Sequence, residues 1–291
     1  MGLEAISRVN PVPTIDLGWL AQHFPDLADL QPLASGGYKQ VIAARHPTDG
    51  DVVLKLIRPG VDPEEIRREI LAVQRVCCPR VPRIFADGIV QSQLGEVIWI
   101  REQRIAGQGV RQLIAQGPLL VPELTRMGLQ ILEALVDAEG VGIVHRDVKP
   151  ENIIRDSANN YWLLDFGIAR HLDLQSLTAT AAPFGKLTLG YAPPEQCRNV
   201  KAEIDSRADL FALGITLYEC ATGAHPFYAP PPHDQFEVLA RVENMALPAL
   251  RIGNDGLSEL IQVLVQKRRV HRPATARAAL DWMREIAGDR G

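Results

Sequence analysis

The sequence is short of several things, and each shortage narrows what the protein can be. Only four cysteines occur, Cys77, Cys78, Cys197 and Cys220, with neither a Cys-x-x-Cys pair nor a Cys/His spacing that would suit a metal. Cys77 and Cys78 are adjacent, which fits neither a structural zinc nor an ordinary disulfide, so four reduced thiols in a cytosolic protein are expected. An excess of positive charge is also missing. The formal net charge of −4 creates no basic field, which argues against nucleic acid as the main partner. Long apolar runs are absent too. The most apolar later stretch, residues 210–217, falls far short of the roughly 20 residues that cross about 30 Å of hydrocarbon. The first ten residues lack a basic start followed by an apolar run, and Ile6 stands where a myristoylation signal needs Ser or Thr after Gly2. A cytoplasmic protein without a membrane span is expected.

What is present has the balance of an ordinary globular chain, with 46% hydrophobic and 23% charged residues. At 291 residues it can hold one large domain or two lobes around a cleft. Two regimes follow one another. Over about 30–102, short β-branched and aliphatic runs alternate with turn signals. The runs 38–45 and 51–57 flank His46-Pro47-Thr48-Asp49-Gly50, whose Asp-Gly pair suits a hairpin loop. A helix should open at Asp62-Pro63-Glu64-Glu65, with Asp62 as N-cap and Glu65 closing a capping box, and end near Val76 ahead of Pro79. Strand-like runs follow at 83–90 and 96–102.

Beyond about Gly107 the period is helical. Leu124, Met127, Ile131, Leu132, Leu135 and Val136 recur behind Pro122, and Gly140 sits at the stop. Leu257, Leu260, Ile261, Leu264 and Val265 repeat the pattern, and a last helix should start at Thr275 and turn Leu280 and Met283 inward. The first 26 residues, with Pro11, Pro13 and Pro25, read as an extension laid on the surface or partly disordered.

The chemistry sits in two short motifs. His145-Arg146-Asp147-Val148-Lys149-Pro150-Glu151-Asn152 follows a brief apolar run, and Asp165-Phe166-Gly167 comes thirteen residues after Asn152. Either tripeptide alone could arise by chance, but an eight-residue loop with every special position filled, followed by the second motif, is specific. Here the chain resembles the eukaryotic-type (Hanks-type) serine/threonine protein kinases, with wording such as Asp165-Phe166-Gly167-Ile168-Ala169-Arg170 close to bacterial members. The match runs from Leu33 to Arg272. It implies an α+β, bilobal protein-kinase-like fold: a small β-sheet N-lobe with one main helix at 27–104, a larger helical C-lobe at 105–291, and a single kinase domain at 27–287 behind the 1–26 extension. ATP would lie in the cleft with Mg²⁺, and a protein Ser/Thr hydroxyl would be the acceptor.

The residue types suit that chemistry. The Asp147 carboxylate can orient a hydroxyl and take its proton, and Lys149 can neutralise charge on the γ-phosphate. Asn152 and Asp165 offer the hard oxygens that Mg²⁺ prefers. Val52-Val53-Leu54-Lys55 matches the family's lysine strand, and alternation puts Lys55 on one face with Val53 and Ile57. A lysine among apolar neighbours needs an anion to meet. Phosphate and Glu69 are the expected partners, since Glu69 falls in mid-helix on the inward face with Ile66 and Val73; Glu65 shares that face but is needed at the helix start. The resemblance also pairs Glu195 with Arg272 and sets Asp209 to hold the catalytic-loop backbone.

Two regions depart from the family. Its G-x-G-x-x-G-x-V loop is here Ala34-Ser35-Gly36-Gly37-Tyr38-Lys39-Gln40-Val41, so only Gly36 is in register, with Gly37 beside it, and Lys39 at the third glycine position is expected to face solvent. Leu33, Gly36, Gly37 and Val41 are the candidate nucleotide contacts there. In the hinge, Glu102 and Ile105 are candidates, but two registers fit, with either Arg101 or Glu102 at the back of the pocket. Arg146 implies a phosphate on the activation segment, at Thr178 or Thr180, while Thr188 suits a bond to Asp147 or Lys149. Two other classes compete: a pseudokinase acting as a nucleotide-binding or scaffold module, and a small-molecule phosphotransferase. Lys149, Pro194-Glu195 and Arg272 oppose the latter.

Overall fold

A computed structural model describes residues 14–36, 39–57, 63–166, 189–198, 200–228 and 230–288. The described chain divides into two compact units. One runs to Pro63 and resumes over Arg83–Arg104; the other takes Glu64–Pro82 and the chain from Ile105 onward.

The first unit is built on five antiparallel strands, β1 (Ala28–Ser35), β2 (Lys39–His46), β3 (Gly50–Ile57), β4 (Ile84–Ser92) and β5 (Gly95–Gln103), in the order β1-β2-β3-β5-β4. The Asp49-Gly50 signal does close the β2–β3 hairpin. His46 pairs with Gly50, whose φ of 73° lies in the left-handed region that a glycine enters without cost. Period-two alternation then sorts β3 into two faces. Val52, Leu54 and Leu56 join Ile42, Ala44 and Val97 in one apolar cluster. Val53, Lys55 and Ile57 take the opposite face, and every residue from Val52 to Ile57 is buried. A strand covered on both sides reads as a near-continuous apolar run, broken here between Val52 and Ile57 by Lys55.

What covers the first face is the N-terminal segment. Helix α1 (Leu17–His23) is capped by Asp16, whose Oδ1 accepts from the amides of Gly18 (2.7 Å) and Trp19 (3.2 Å). Ile15, Leu20 and Leu27 are buried in the cluster, and Phe24 meets the Trp99 ring edge-on at 5.4 Å. The buried amide of Gln40 closes the join: Oε1 accepts from Ile15 N (2.9 Å) and Nε2 donates to Ile15 O (3.0 Å). The reading of a surface-laid extension therefore fails for residues 15–24. A single seven-residue helix gives too few apolar repeats to register as periodicity, and the prolines around it mask the signal. Residues 1–13 lie outside the described residues.

The second unit contains helices α2 (Pro63–Val73), α3 (Val110–Ile114), α4 (Val121–Gly140), α5 (Pro194–Cys197), α6 (Arg207–Thr222), α7 (Gln235–Asn244), α8 (Asp255–Leu264) and α9 (Ala276–Ala287). A small sheet of β6 (Gln108–Gly109), β7 (Ile153–Arg155) and β8 (Tyr161–Leu163) accompanies them. The apolar stretch 210–217 is the middle of α6, buried continuously from Ala208 to Cys220, as an all-apolar helix must be. At Gly214 a Cβ would come within 2.8 Å of Leu264 Cβ, so glycine sets how closely α6 and α8 pack. The expected stripe of α4 is buried at Leu124, Met127, Ile131, Leu132 and Leu135, and Thr275 caps α9 by accepting from Ala278 N (3.1 Å). Helix α2 ends at Val73, and its last carbonyls still receive the amides of Gln74, Arg75 and Val76. Its expected N-cap Asp62 and the Glu65 side chain lie outside the described residues. No helix among those described is long and apolar enough to cross a membrane, and all four cysteines are free.

One cation sits awkwardly in this unit. The Lys267 ammonium lies 4.3 Å from the Phe227 ring centroid and 5.5 Å from that of Phe211, with no hydrogen-bond partner among the described residues. Burial, and then the charge of Arg272, lower its pKa from the usual 10.5 to about 8.

Two predictions follow from these packings. Leu20→Ala should lower the stability of the first unit by about 2–5 kcal/mol, read from urea unfolding by tryptophan fluorescence. For Lys267 the unfolded chain holds a proton that the fold has lost between pH 8 and 10.5, so stability should rise through that window. Lys267→Met should lack this rise, and equal pH profiles for the two proteins would show an amine in ordinary water.

Candidate active site

The His145–Asn152 loop follows α4 and is held from α6. Asp209, 2% exposed in the first turn of α6, accepts from His145 N at Oδ2 (2.7 Å) and from Arg146 N at Oδ1 (2.6 Å). Gln196 Nε2 donates to Arg146 O (3.0 Å). The Arg146 backbone is therefore gripped on both sides, and needs to be, because its φ of 64° is unfavourable for a residue with a Cβ. The buried ring of His145 bonds at both nitrogens, Nδ1 accepting from Asp147 N (3.2 Å) and Nε2 facing Leu164 O (2.9 Å). An amide can only donate and a carbonyl only accept, so this ring is neutral with its proton on Nε2. Phe166 packs against it edge-on at 4.5 Å.

This scaffold presents one compact polar group. Asp147 Oδ2 lies 2.9 Å from Lys149 Nζ and accepts from Asn152 Nδ2 at 2.9 Å. The same Nδ2 donates to Asp147 O at 2.8 Å, so the amide nitrogen is committed to Asp147 and Oδ1 is the oxygen left for a ligand. Leu164 N donates to Asn152 O (2.8 Å), which brings the chain after β8 alongside, and Asp165 comes next at φ 57°. Asp147, Lys149 and Asn152 are thus joined directly, with Asp165 one residue past the link. A carboxylate and an amide oxygen of this kind suit Mg²⁺, which is usually held by one or two protein oxygens together with substrate phosphates.

Two further networks brace the loop. Arg272 pairs with Glu195 as expected, Nη1 to Oε1 at 2.6 Å and Nη2 to Oε2 at 3.1 Å. Its remaining N–H groups reach Gln266 O, Arg207 O and Lys267 O, so all five donors are used and the pair can be buried at 4% exposure for each residue. The other network went unseen in the sequence. Arg111 donates to Glu219 (2.6 Å), Tyr191 Oη (2.6 Å) and Glu151 (2.8 Å), and Tyr191 Oη donates to Glu219. Burial and the Glu219 carboxylate push the Tyr191 hydroxyl far up, so it stays a donor. Arg111 and Glu219 belong to no short motif, and their partners lie 28 to 108 residues away.

In the first unit, Lys55 is 8% exposed, paired in register with Val41 on β2 and Ile100 on β5. Its Nζ lies 2.5 Å from Glu102 Oε1. Glu102 therefore shares the lysine's face, whereas Arg101 points the other way to Asp49 (3.0 Å). Of the two hinge candidates, Glu102 is thus the one on the lysine's face. Leu33 is half exposed at an irregularity in β1, and Gly36 N donates to Lys39 O (2.8 Å) to close the β1–β2 turn. Lys39 opens β2 opposite Ile57 and is partly buried, on the face that carries Val41 and Lys55. Glu69 lies partly buried in α2, and Ile105 is partly buried at the return to the second unit. Gly37, Gly167, Ser176, Thr178, Thr180 and Thr188 lie outside the described residues.

A small antiparallel unit bearing a buried lysine, with a larger helical unit bearing a braced His-Arg-Asp loop, defines the α+β, bilobal protein-kinase-like fold. The chain belongs to the protein kinase family: the family's protein kinase domain matches residues 27–283. It is 34% identical over 209 residues to a probable serine/threonine-protein kinase of Corynebacterium efficiens, covering 69% of this chain and 31% of that protein. The probable serine/threonine-protein kinase PkwA of Thermomonospora curvata is 32% identical over 260 residues, 88% of this chain and 34% of its own length. Serine/threonine-protein kinase PknB of Mycobacterium tuberculosis is 31% identical over 261 residues, 86% and 41% respectively. The chain spans less than half the length of these bacterial relatives. Members of the family generally use ATP and a divalent metal.

The Asp209 clamp carries its own test. Asp209→Ala leaves two buried amides without an acceptor, at a cost of about 1–3 kcal/mol each. Chemical denaturation should show the loss, and hydrogen exchange should be faster at His145 and Arg146 N–H than in the wild type.

Proposed function

We propose that this domain is a serine/threonine protein kinase that moves the γ-phosphate of ATP to a Ser or Thr hydroxyl of a protein substrate. The observation that carries the reading is the sharing of Asp147 Oδ2 between Lys149 and Asn152. In a free carboxylate this oxygen would rotate. Here two donors orient the carboxylate, which can accept a hydrogen bond from the incoming hydroxyl and then its proton. Lys149 stands beside that proton acceptor as the cation for charge gathering on the transferred group. Asn152 Oδ1 and Asp165 are assigned to hold Mg²⁺, which when bound neutralises phosphate charge and orients the leaving group.

Lys55 is assigned to the phosphates and Glu69 to Lys55, following the resemblance. Leu33, Gly36, Gly37, Val41, Glu102 and Ile105 are assigned to the nucleotide. We take residues 27–287 as the kinase domain, with lobes parting at 104/105 and an extension at 1–26, and place phosphorylation at Thr178 or Thr180. Four free thiols accord with a reducing, cytoplasmic setting. A catalytically silent member of the family is the runner-up, favoured by Ala34 and Lys39 at glycine positions.

The test is phosphate transfer from labelled ATP with Mg²⁺ to the protein itself and to generic substrates. Asp147→Asn should lose about 10²–10⁴-fold in rate, the usual worth of a general base. A folded wild type that binds ATP but transfers no phosphate would select the silent reading.

A further inference from the structure

The first unit holds a charge arrangement that the family resemblance does not supply. Lys55 and Glu102 stand on neighbouring strands, on one face, one diagonal step apart: Lys55 opposes Ile100 and Val53 opposes Glu102. Their side chains are only 10% and 12% exposed, and Nζ and Oε1 are 2.5 Å apart. Val53, Ile57, Ile98 and Ile100, all buried, surround the pair. In such a setting an ion pair is held far more firmly than at a surface, and an anion approaching the lysine meets a carboxylate already seated on it. Arg101, next to Glu102 on β5, pairs with Asp49 instead.

We propose that Glu102 is a positioning residue that holds Lys55 in the nucleotide-free protein and yields it to phosphate on binding, so that Glu102 sets the affinity for the polyphosphate part of the nucleotide. The inference rests on the kinase reading above, in which Lys55 meets the phosphates of ATP. Two consequences distinguish it from a structural ion pair. Removing the carboxylate should strengthen binding, where removing a structural partner would only weaken the fold. The gain should also need both the phosphates and the lysine, since it comes from their competition with Glu102.

The experiment is calorimetric titration of wild type, Glu102→Gln, Glu102→Asp and Glu102→Gln in a Lys55→Met background with Mg·ATP and, separately, with adenosine. Glu102→Gln should bind Mg·ATP about tenfold more tightly, a change of about 1.4 kcal/mol, and its KM for ATP should fall more than its kcat changes. Adenosine affinity should not move, Glu102→Asp should return toward wild type, and the gain should vanish without Lys55. A lowered melting temperature with unchanged Mg·ATP affinity would overturn the proposal and make the pair structural. Equal tightening for adenosine would overturn it too, by moving the effect to the base. If Glu102→Gln does not fold, Glu102→Met removes the same charge while filling the volume. Failure of wild type and both charge-removing variants to bind Mg·ATP would instead sink the kinase reading, and this inference with it.

Discussion

A carboxylate in the first turn of a buried helix accepts from two consecutive backbone amides, and the rest of the site hangs on that contact. Asp209 is well placed for this, since the amino end of α6 favours negative charge and the surrounding apolar helix keeps water from competing. Its two oxygens fix the amides of His145 and Arg146, and Gln196 fixes the Arg146 carbonyl. The left-handed turn at Arg146 is held by three bonds that an unfolded chain could not offer together. From there the geometry propagates by short links: His145 to Leu164 and Asp147, Asn152 to Asp147, and Leu164 to Asn152.

Buried charge is handled in two different ways in the two units. In the second unit, Arg272 satisfies every one of its donors within the protein, so the Glu195 pair is closed and structural. In the first unit, Lys55 and Glu102 meet on one sheet face, Nζ to Oε1 at 2.5 Å. We assign a scaffold role to Arg272 and a ligand-responsive role to Lys55.

The catalytic loop was legible because its residues are close in sequence and their types are chemically constrained. The α4 and α8 stripes, the Asp49-Gly50 hairpin and the Thr275 cap were legible for a similar reason, since each is a local pattern of period or turn chemistry. The α1 segment was not, because about two turns of helix bear a single fully buried side chain, Leu20. Nor were Arg111 and Glu219, ordinary residue types 108 positions apart. The face that Lys39 takes was not legible for a related reason: which side of a strand a residue takes depends on where the strand begins, and that start is set by pairing with β3.

Residue order by itself determined the α+β character, the local elements and the cluster of polar groups between His145 and Asn152, since those follow from spacing along the chain. Tertiary structure alone decided which long-range partners meet. It chose Glu102 over Arg101 for the Lys55 face, because strand register, and not composition, sets the side to which alternate side chains turn. It also made the N-terminal segment part of the core, because an apolar sheet face recruits whatever nearby chain can cover it, and here Ile15 and Leu20 lie within reach.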